Sequence, residues 1–222
     1  GQPRSRQNML NELCVRVCLQ PEQVCIAMDT LVIGAEDRVP MSFQRKFLSV
    51  PESDLVVAGT GYAGFINGWF QHLQANLHGA TIDDLNEEAP SIFRASVSAE
   101  GGLSGLTATI YHFGYSIREH RYAGYAYRSE HGFRSDRLQY ALGYKPVVSV
   151  TPNDDIRFPD FLIDIILEQR RQDRLLPITE RVGIGGEIEF VVMSDRSIHV
   201  ETVHRFSSYE AESIYIEQRA EA

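Results

Sequence analysis

Two charged residues and three thiols are the side chains of this sequence whose types and spacing could do chemistry. Asp29 directly follows an apolar run that ends at Met28, and Lys46 lies seventeen residues further along the chain. An acid and a lysine that meet in the fold form an ion pair, which a protein can retain without any chemical role. A cysteine thiol can act as a nucleophile in covalent catalysis. Three cysteines precede Asp29: Cys14, Cys18 and Cys25.

A predicted β-hairpin positions all of these residues except Lys46. Apolar residues alternate with Cys14 and Cys18 between positions 13 and 19, which is the pattern of a half-buried strand. The segment 20–23 forms the turn, where the fixed φ of Pro21 is suitable, and residues 24–28 return as a mainly apolar strand. Cys14 and Cys18 lie about 13 Å apart on one strand, too far for a disulfide. We expect free, buried thiols in a cytoplasmic protein.

The remaining elements alternate between strands and helices. Strands are predicted at 46–50, 54–58, 106–113, 120–127, 137–142, 184–193 and 197–206. A helix is predicted from Phe65 to Gly79, a second follows the N-cap Thr81 and is kinked or split at Pro90, and a third begins near Phe161. This order predicts an α+β fold, a four-layer αββα sandwich of two antiparallel sheets flanked by helices.

One domain accounts for the length and composition of the chain. We expect a flexible segment at 1–9, a single domain at 10–206, and at 207–222 a polar tail that is either solvated or a short helix. The chain has 222 residues and a formal net charge of −9, so a nucleic acid is not the expected partner. No apolar run approaches the roughly 20 residues that span a bilayer, so no membrane association is expected.

The order of these motifs resembles a known enzyme family. The hairpin, Asp29, Lys46 and the sequence DLVVAGTGYAGF at 54–65 are similar to the proteasome β-subunit and HslV branch of the N-terminal nucleophile (Ntn) hydrolases. The sequence VGIGGEIEFVVM at 182–193 resembles the glycine-pair strand of that family. The resemblance extends over roughly residues 13 to 205, and it implies the same four-layer fold.

The resemblance also implies a set of site residues. In this family a Thr, Ser or Cys is made N-terminal by self-cleavage, and its own α-amine serves as the base. Lys46 corresponds to the lysine that lowers the local proton affinity, and Asp29 to the acid that orients this lysine. Gly59, or Gly61 in its place, corresponds to the glycine whose N–H stabilises the oxyanion. Glu36 or Asp37 is the alternative for the acid, but Asp29 needs almost no insertions in the family spacing.

The sequence departs from the family pattern at the nucleophile. That position falls on Leu13, which has no nucleophilic atom. The auxiliary serine of the family is also missing near Tyr144 and Lys145, and the helper aspartate and serines are missing at 181–184. Cys14 is the alternative nucleophile, because it lies 32 residues before Lys46 and this is the family separation. It would require cleavage after Leu13, and a one-residue slip reverses the face of a strand.

Two functions therefore remain open. The first is a non-catalytic, proteasome-like protein that acts by assembly or binding, as a homo-oligomer or with related subunits. The second is a self-processed cysteine amidohydrolase or peptidase that uses Cys14 on a peptide or small amide. No cofactor or metal is expected, because the histidines lack ligand spacing. The glycine string at 59–64 (GTGYAG) lacks the alternating βαβ context of a dinucleotide site.

Overall fold

The computed structural model of the chain describes residues 9–11, 15–76, 79–99, 102–103, 105–145 and 160–221. Within these ranges the fold is α+β. The strands are β1 (Met9–Asn11), β2 (Val15–Leu19), β3 (Gln23–Asp29), β4 (Leu31–Gly34), β5 (Pro40–Phe43), β6 (Phe47–Val50), β7 (Leu55–Tyr62), β8 (Ala108–Ser116), β9 (Arg121–Arg128), β10 (Ser135–Arg137), β11 (Leu142–Lys145), β12 (Glu187–Ser194) and β13 (Ser197–Arg205). The helices are α1 (Ala63–Asn76), α2 (Ile82–Ala99), α3 (Asp160–Asp173) and α4 (Tyr209–Glu221).

The described strands form two antiparallel sheets. The larger sheet has the order β10-β9-β8-β7-β1-β4-β5, and β6 pairs with β7. The smaller sheet has the order β11-β2-β3-β12-β13. The predicted hairpin is present as β2 and β3, in which Val17 pairs with Ile26 and Cys18 with Cys25. The prediction of an α+β fold with antiparallel sheets is confirmed.

Helices α1 and α2 pack against the larger sheet. Their buried aromatic side chains, Trp69 from α1 and Phe93 from α2, belong to one hydrophobic cluster with Ile110 of β8. Thr81 caps α2 as predicted, because its Oγ1 accepts a hydrogen bond from the backbone N–H of Asp84 at 3.3 Å. The apolar side chains at helical spacing therefore form the buried face of these two helices.

A second cluster lies between the sheets, and a third lies under α3. Strand β3 contributes to both, because its side chains alternate between its two faces. Ile26 and Met28 belong to the second cluster together with Val56 and Phe113 of the larger sheet. On the opposite face of β3, buried residues pack against α3, namely Cys25 and Ala27 against Leu162 and Ile166. A strand buried on both faces explains the nearly continuous apolar run at 24–28.

Several predicted boundaries were wrong. Of the two alternatives at Pro90, the split is wrong, because helix α2 continues through this residue, and Ala89 and Phe93 on either side of it are buried in the core. The strand predicted at 137–142 is two short strands, β10 in the larger sheet and β11 in the smaller one. Strand β5 was missed because it starts at Pro40, a residue that an edge strand tolerates.

At the N-terminal end the structure differs from expectation. Met9, which was assigned to the flexible segment, lies in strand β1, and residues 1–8 are outside the described ranges. Most of the polar tail predicted at 207–222 is helix α4, which is the second of the two alternatives given above, and it is docked on the fold: Tyr209 stacks on Phe43 with ring centroids 4.6 Å apart. None of the described helices is long and apolar enough to cross a membrane.

Candidate functional site

Asp29 and Lys46 meet in the interior of the protein. Asp29 is the last residue of β3, and Lys46 directly precedes β6, so the two residues come from different sheets. The Nζ atom of Lys46 donates a hydrogen bond to Oδ1 of Asp29 at 2.9 Å, and neither side chain is exposed to solvent. The structure therefore contains a fully buried ion pair that links the smaller sheet to the larger one.

The second carboxylate oxygen of Asp29 is bound by the backbone. Oδ2 accepts hydrogen bonds from the N–H of Gly185 at 3.1 Å and from the N–H of Leu31 at 3.3 Å. Burial raises the pKa of Asp29, while the ammonium group of Lys46 and these two N–H groups act in the opposite direction. With one ammonium and two N–H donors around it, the carboxylate has partners for its charge inside the fold.

The glycine pair at 185–186 is attached to the start of β4 by further hydrogen bonds. The carbonyl of Gly185 accepts from the N–H groups of Thr30 and Leu31, at 3.3 Å and 3.2 Å. Oγ1 of Thr30 accepts from the N–H of Glu187 at 2.9 Å. Gly186 has a φ of +75°, which a residue with a side chain rarely adopts. The glycine pair thus brings backbone close enough to bind Asp29.

Helix α4 and helix α3 extend this network, which the sequence did not predict. Oε2 of Glu212 accepts from the N–H of Gly186 at 3.2 Å, and Oε1 of Glu212 lies 3.6 Å from the guanidinium of Arg170. Asp173, at the end of α3, accepts from the N–H groups of Val182 and Gly183 at 2.6 Å and 3.1 Å. The segment 182–186, which contains the glycine pair, is therefore bound at both ends by carboxylates, one from α3 and one from α4.

Gly59 lies beside the ion pair along the backbone. Phe47 of β6 pairs with Ala58 of β7, so Lys46, directly before β6, is the residue that follows in the direction of Gly59. A Cβ atom at Gly59 would lie 2.6 Å from Cγ2 of Ile66 in α1. Close packing of α1 on β7 is therefore sufficient to explain this glycine. Gly61 has a φ of +96° and pairs with Asn11 of β1.

The predicted nucleophile positions, Leu13 and Cys14, lie outside the described residues. The other two thiols are described and are free. Burial raises the pKa of Cys18, and burial followed by the neighbouring Cys18 raises the pKa of Cys25 to about 12. A thiol with a raised pKa has little thiolate at neutral pH and is a poor nucleophile.

The alternative acids for the family position differ from Asp29 in their surroundings. Glu36 and Asp37 are exposed, and Asp37 forms an ion pair with Arg219 of α4 at 3.0 Å. Of the acids weighed for the family position, the one that contacts Lys46 is Asp29. At the position where the family has its helper residues, Arg181 donates to the backbone carbonyls of Leu176 and Arg174, both at 3.0 Å. That side chain shapes the segment after α3.

The glycine string at 59–64 lies in a context that does not suit a dinucleotide. Strand β7 leads into α1, but its sheet neighbours are antiparallel, whereas the dinucleotide motif belongs to a parallel βαβ unit. The described residues contain no group of three or more His, Cys, Asp or Glu side chains that could hold a metal ion.

The buried histidine, His112, is part of an aromatic cluster. Trp69 Nε1 donates a hydrogen bond to Nε2 of His112 at 3.1 Å, and the two rings stack. Phe93 and Tyr127 pack on the same imidazole. Burial lowers the pKa of His112 to about 3, so this histidine is neutral at physiological pH.

The comparisons with known proteins identify no family. No protein-family model matches the chain, and no curated protein matches it in sequence.

Proposed function

We propose that this chain has the four-layer αββα arrangement of the proteasome-like Ntn hydrolases and acts as a non-catalytic assembly or binding protein. Three hydrophobic clusters support the layered arrangement. One lies between α1–α2 and the larger sheet, one between the two sheets, and one between the smaller sheet and α3. A succession of helix, sheet, sheet and helix accounts for all three clusters.

The observation that carries the non-catalytic assignment is that both carboxylate oxygens of Asp29 already accept hydrogen bonds within the fold. Its carboxylate is fully buried and accepts hydrogen bonds from Lys46, Gly185 and Leu31. These contacts join β3, β4, the glycine pair and β6, so the pair has a sufficient structural role as a link between the sheets. A buried pair of this kind needs no substrate to explain it.

Strand β1 gives independent support. Its residues pair with β4 on one side, through Leu10 and Ile33, and with β7 on the other, through Asn11 and Gly61. The mechanism implied by the resemblance needs a free α-amine on the nucleophile, and thus removal of the preceding chain. Here residues 9–11 of that preceding chain form a strand within the larger sheet, which favours their retention.

The outer strand of the smaller sheet favours assembly. Strand β13 has nine residues, pairs with β12 on one side only among the described residues, and is largely exposed. An unpaired edge of this length can pair with another chain. Exposed apolar side chains elsewhere on the surface, Ile214 and Tyr215 of α4, add to the surface available for a partner.

Two measurements on untagged protein test the proposal. Light scattering coupled to size exclusion should give a mass that is a multiple of 25.1 kDa and should rise with protein concentration. Intact mass with N-terminal sequencing after prolonged incubation should show that β1 is retained. A monomer at all concentrations would contradict self-assembly, and a new terminus at Cys14 would contradict the non-catalytic assignment.

One observation favours the second candidate, a self-processed cysteine hydrolase. The ammonium group of Lys46 has three N–H donors, and its only hydrogen bond within the described residues is the one to Asp29. Strand β2 begins at Val15, one residue after Cys14, and pairs with β3, which ends at Asp29. Cys14 therefore precedes a strand that leads past the ion pair.

The second candidate has its own discriminating test. The hydrolase requires both a terminus at residue 14 and a reactive thiol there, so a thiol-directed probe should label the processed protein and not a Cys14→Ala variant. Lys46→Arg keeps a cation next to Asp29, and it should reduce processing if Lys46 takes part in the chemistry. Equal labelling of Cys14→Ala and the native sequence would eliminate this candidate.

A further inference from the structure

A groove runs between the end of α3 and the segment that joins β13 to α4. It has a volume of about 610 Å³, within the range of small-molecule sites. Basic and apolar side chains share its walls: Leu167, Arg170, Arg171, Arg174, Leu175, His204, Arg205 and Phe206, together with Ser207. The groove does not include Asp29 or Lys46, and the binding of a small molecule there goes beyond the function proposed above, although His204 and Arg205 belong to β13.

Arg170 is the buried cation of the groove. Its guanidinium stacks over the ring of Phe206 at 4.0 Å, and its Nη2 donates to Oγ of Ser208. The side chain is 8% exposed, and its nearest carboxylate, in Glu212, is 3.6 Å away. Its Nη1 is buried and has no hydrogen-bond partner in the described part of the chain. A buried guanidinium nitrogen without an acceptor is unusual and calls for an anionic partner.

The other arginines of the groove differ in whether a carboxylate compensates their charge. Arg171 pairs with Glu168 at 2.7 Å, and Arg205 pairs with Glu187 at 2.7 Å. Arg174 is exposed and forms no ion pair with any described residue. Burial, and after it the charge of Arg174, lowers the pKa of Arg170. Arg170 and Arg174 are therefore the two cations with capacity for a further anion.

Apolar side chains next to these cations are exposed to solvent. Leu175 is 74% exposed and Leu167 is 38% exposed, and both line the groove. Leu176 and Ile178, which follow Leu175 in the chain beyond α3, are also exposed, at 41% and 54%. Exposed apolar surface of this kind marks a binding site when it is contiguous and rimmed by polar groups.

We propose that this groove binds a small amphipathic monocarboxylate, with its carboxylate on Arg170 and Arg174 and its apolar body along Leu167 and Leu175. Two guanidinium groups match the planar, bidentate geometry of a carboxylate. A dianion such as phosphate fits less well, because Glu210 and Glu212 lie beside the arginines and the apolar wall would have no partner. The apolar body supplies the contact that a simple anion lacks.

Titration calorimetry of the full chain with octanoate tests this site. Octanol serves as the uncharged comparator and inorganic phosphate as the anion without an apolar body. Arg174→Gln removes the exposed, unpaired cation of the groove. Arg118→Gln is the matched control, because Arg118 is also exposed (its side chain is 61% exposed) but lies far along the chain, paired with Glu87.

The proposal predicts one octanoate per chain, with octanol and phosphate binding at least about tenfold more weakly. Arg174→Gln should weaken octanoate binding about tenfold, whereas Arg118→Gln should leave it unchanged. Absence of binding at millimolar octanoate would overturn the proposal. Equal binding of octanol would show an apolar surface only, and equal binding of phosphate would show a simple anion site only. An unaffected Arg174→Gln variant would show that octanoate binds at a different location. Each of these results would also overturn the proposal.

Discussion

The Nζ atom of Lys46 lies 2.9 Å from Oδ1 of Asp29, and this contact is one of those that join the two sheets of the protein. Both side chains are completely buried. The charges compensate one another, and the N–H groups of Gly185 and Leu31 complete the environment of the carboxylate. Removal of either partner would leave the other charge uncompensated in the interior, which is far more costly than loss of a surface pair.

Lys46→Met should therefore destabilise the fold strongly. The variant keeps most of the side-chain volume but leaves Asp29 without its cation, and we expect a loss of about 3–5 kcal/mol in the free energy of unfolding. Urea denaturation followed by circular dichroism measures this loss. The double variant Asp29→Asn with Lys46→Met should recover part of it, because no unpaired charge then remains.

The control for this experiment is Arg118→Met. Arg118 also contacts a carboxylate, that of Glu87, but both side chains are 61% exposed. Water screens such a pair, so the unfolding midpoint should stay close to that of the native sequence. An unchanged midpoint for Lys46→Met as well would argue against the ion pair as a link between the sheets.

Gly186 and Gly132 distinguish two reasons for a glycine in this fold, a positive φ and a lack of space for a Cβ atom. Both have positive φ, +75° and +62°, which costs an alanine about 1–2 kcal/mol. A Cβ atom at Gly186 would also overlap Oγ1 of Thr30 and lie 2.8 Å from Cδ1 of Phe43, whereas one at Gly132 would have no neighbour within 4 Å. Gly186→Ala should lose a further ~1–3 kcal/mol from overpacking. Similar melting temperatures of the two variants would contradict this difference.

The local patterns of the sequence predicted most of the central elements. The alternation at 13–19 and the apolar run at 24–28 predicted β2 and β3, since Val17 and Ile26 face one cluster while Cys25 faces another. The stripe that contains Trp69 and the N-cap Thr81 predicted α1 and the start of α2. These features depend on neighbouring residues only, so periodicity and capping chemistry are enough to reveal them.

Long-range contacts of the site could not be predicted in the same way. Glu212 binds the N–H of Gly186 across 26 residues, and Arg45 binds Glu189 across 144. Neither contact has a local signature, and the acidic composition near Glu212 predicted either a solvated tail or a short helix, without this contact. The apposition of Asp29 and Lys46 was expected from family spacing rather than from physics. Strand β1 is three residues long, too short for a periodic pattern.

His112 should make the protein sensitive to acid. Burial lowers its native pKa to about 3 from the ordinary histidine value of 6.5, so between these values the unfolded state takes up a proton that the native state does not. Stability from this residue is fully present above pH 6.5 and falls as the pH decreases, by about 1.4 kcal/mol per pH unit. Urea denaturation from pH 7.5 to 5.0 measures this slope.

His112→Gln should reduce the slope, although it lowers the stability at neutral pH. Glutamine keeps an oxygen that can accept the hydrogen bond of Trp69, but it does not titrate. His199→Gln is the control, because the His199 side chain is 71% exposed, and its slope should match that of the native sequence. Identical slopes for His112→Gln and the native protein would mean that the buried imidazole does not carry the acid sensitivity.

Cys25 should be inert toward alkylation in the native protein. Burial raises the pKa of its thiol to about 12, so at pH 8 only about one molecule in ten thousand carries the thiolate. Iodoacetamide at pH 8, followed by peptide mapping, should label Cys25 in urea and leave it unmodified without urea. Cys18, with a less buried thiol, should react slowly but sooner than Cys25. Rapid native labelling of Cys25 would contradict its position beneath α3.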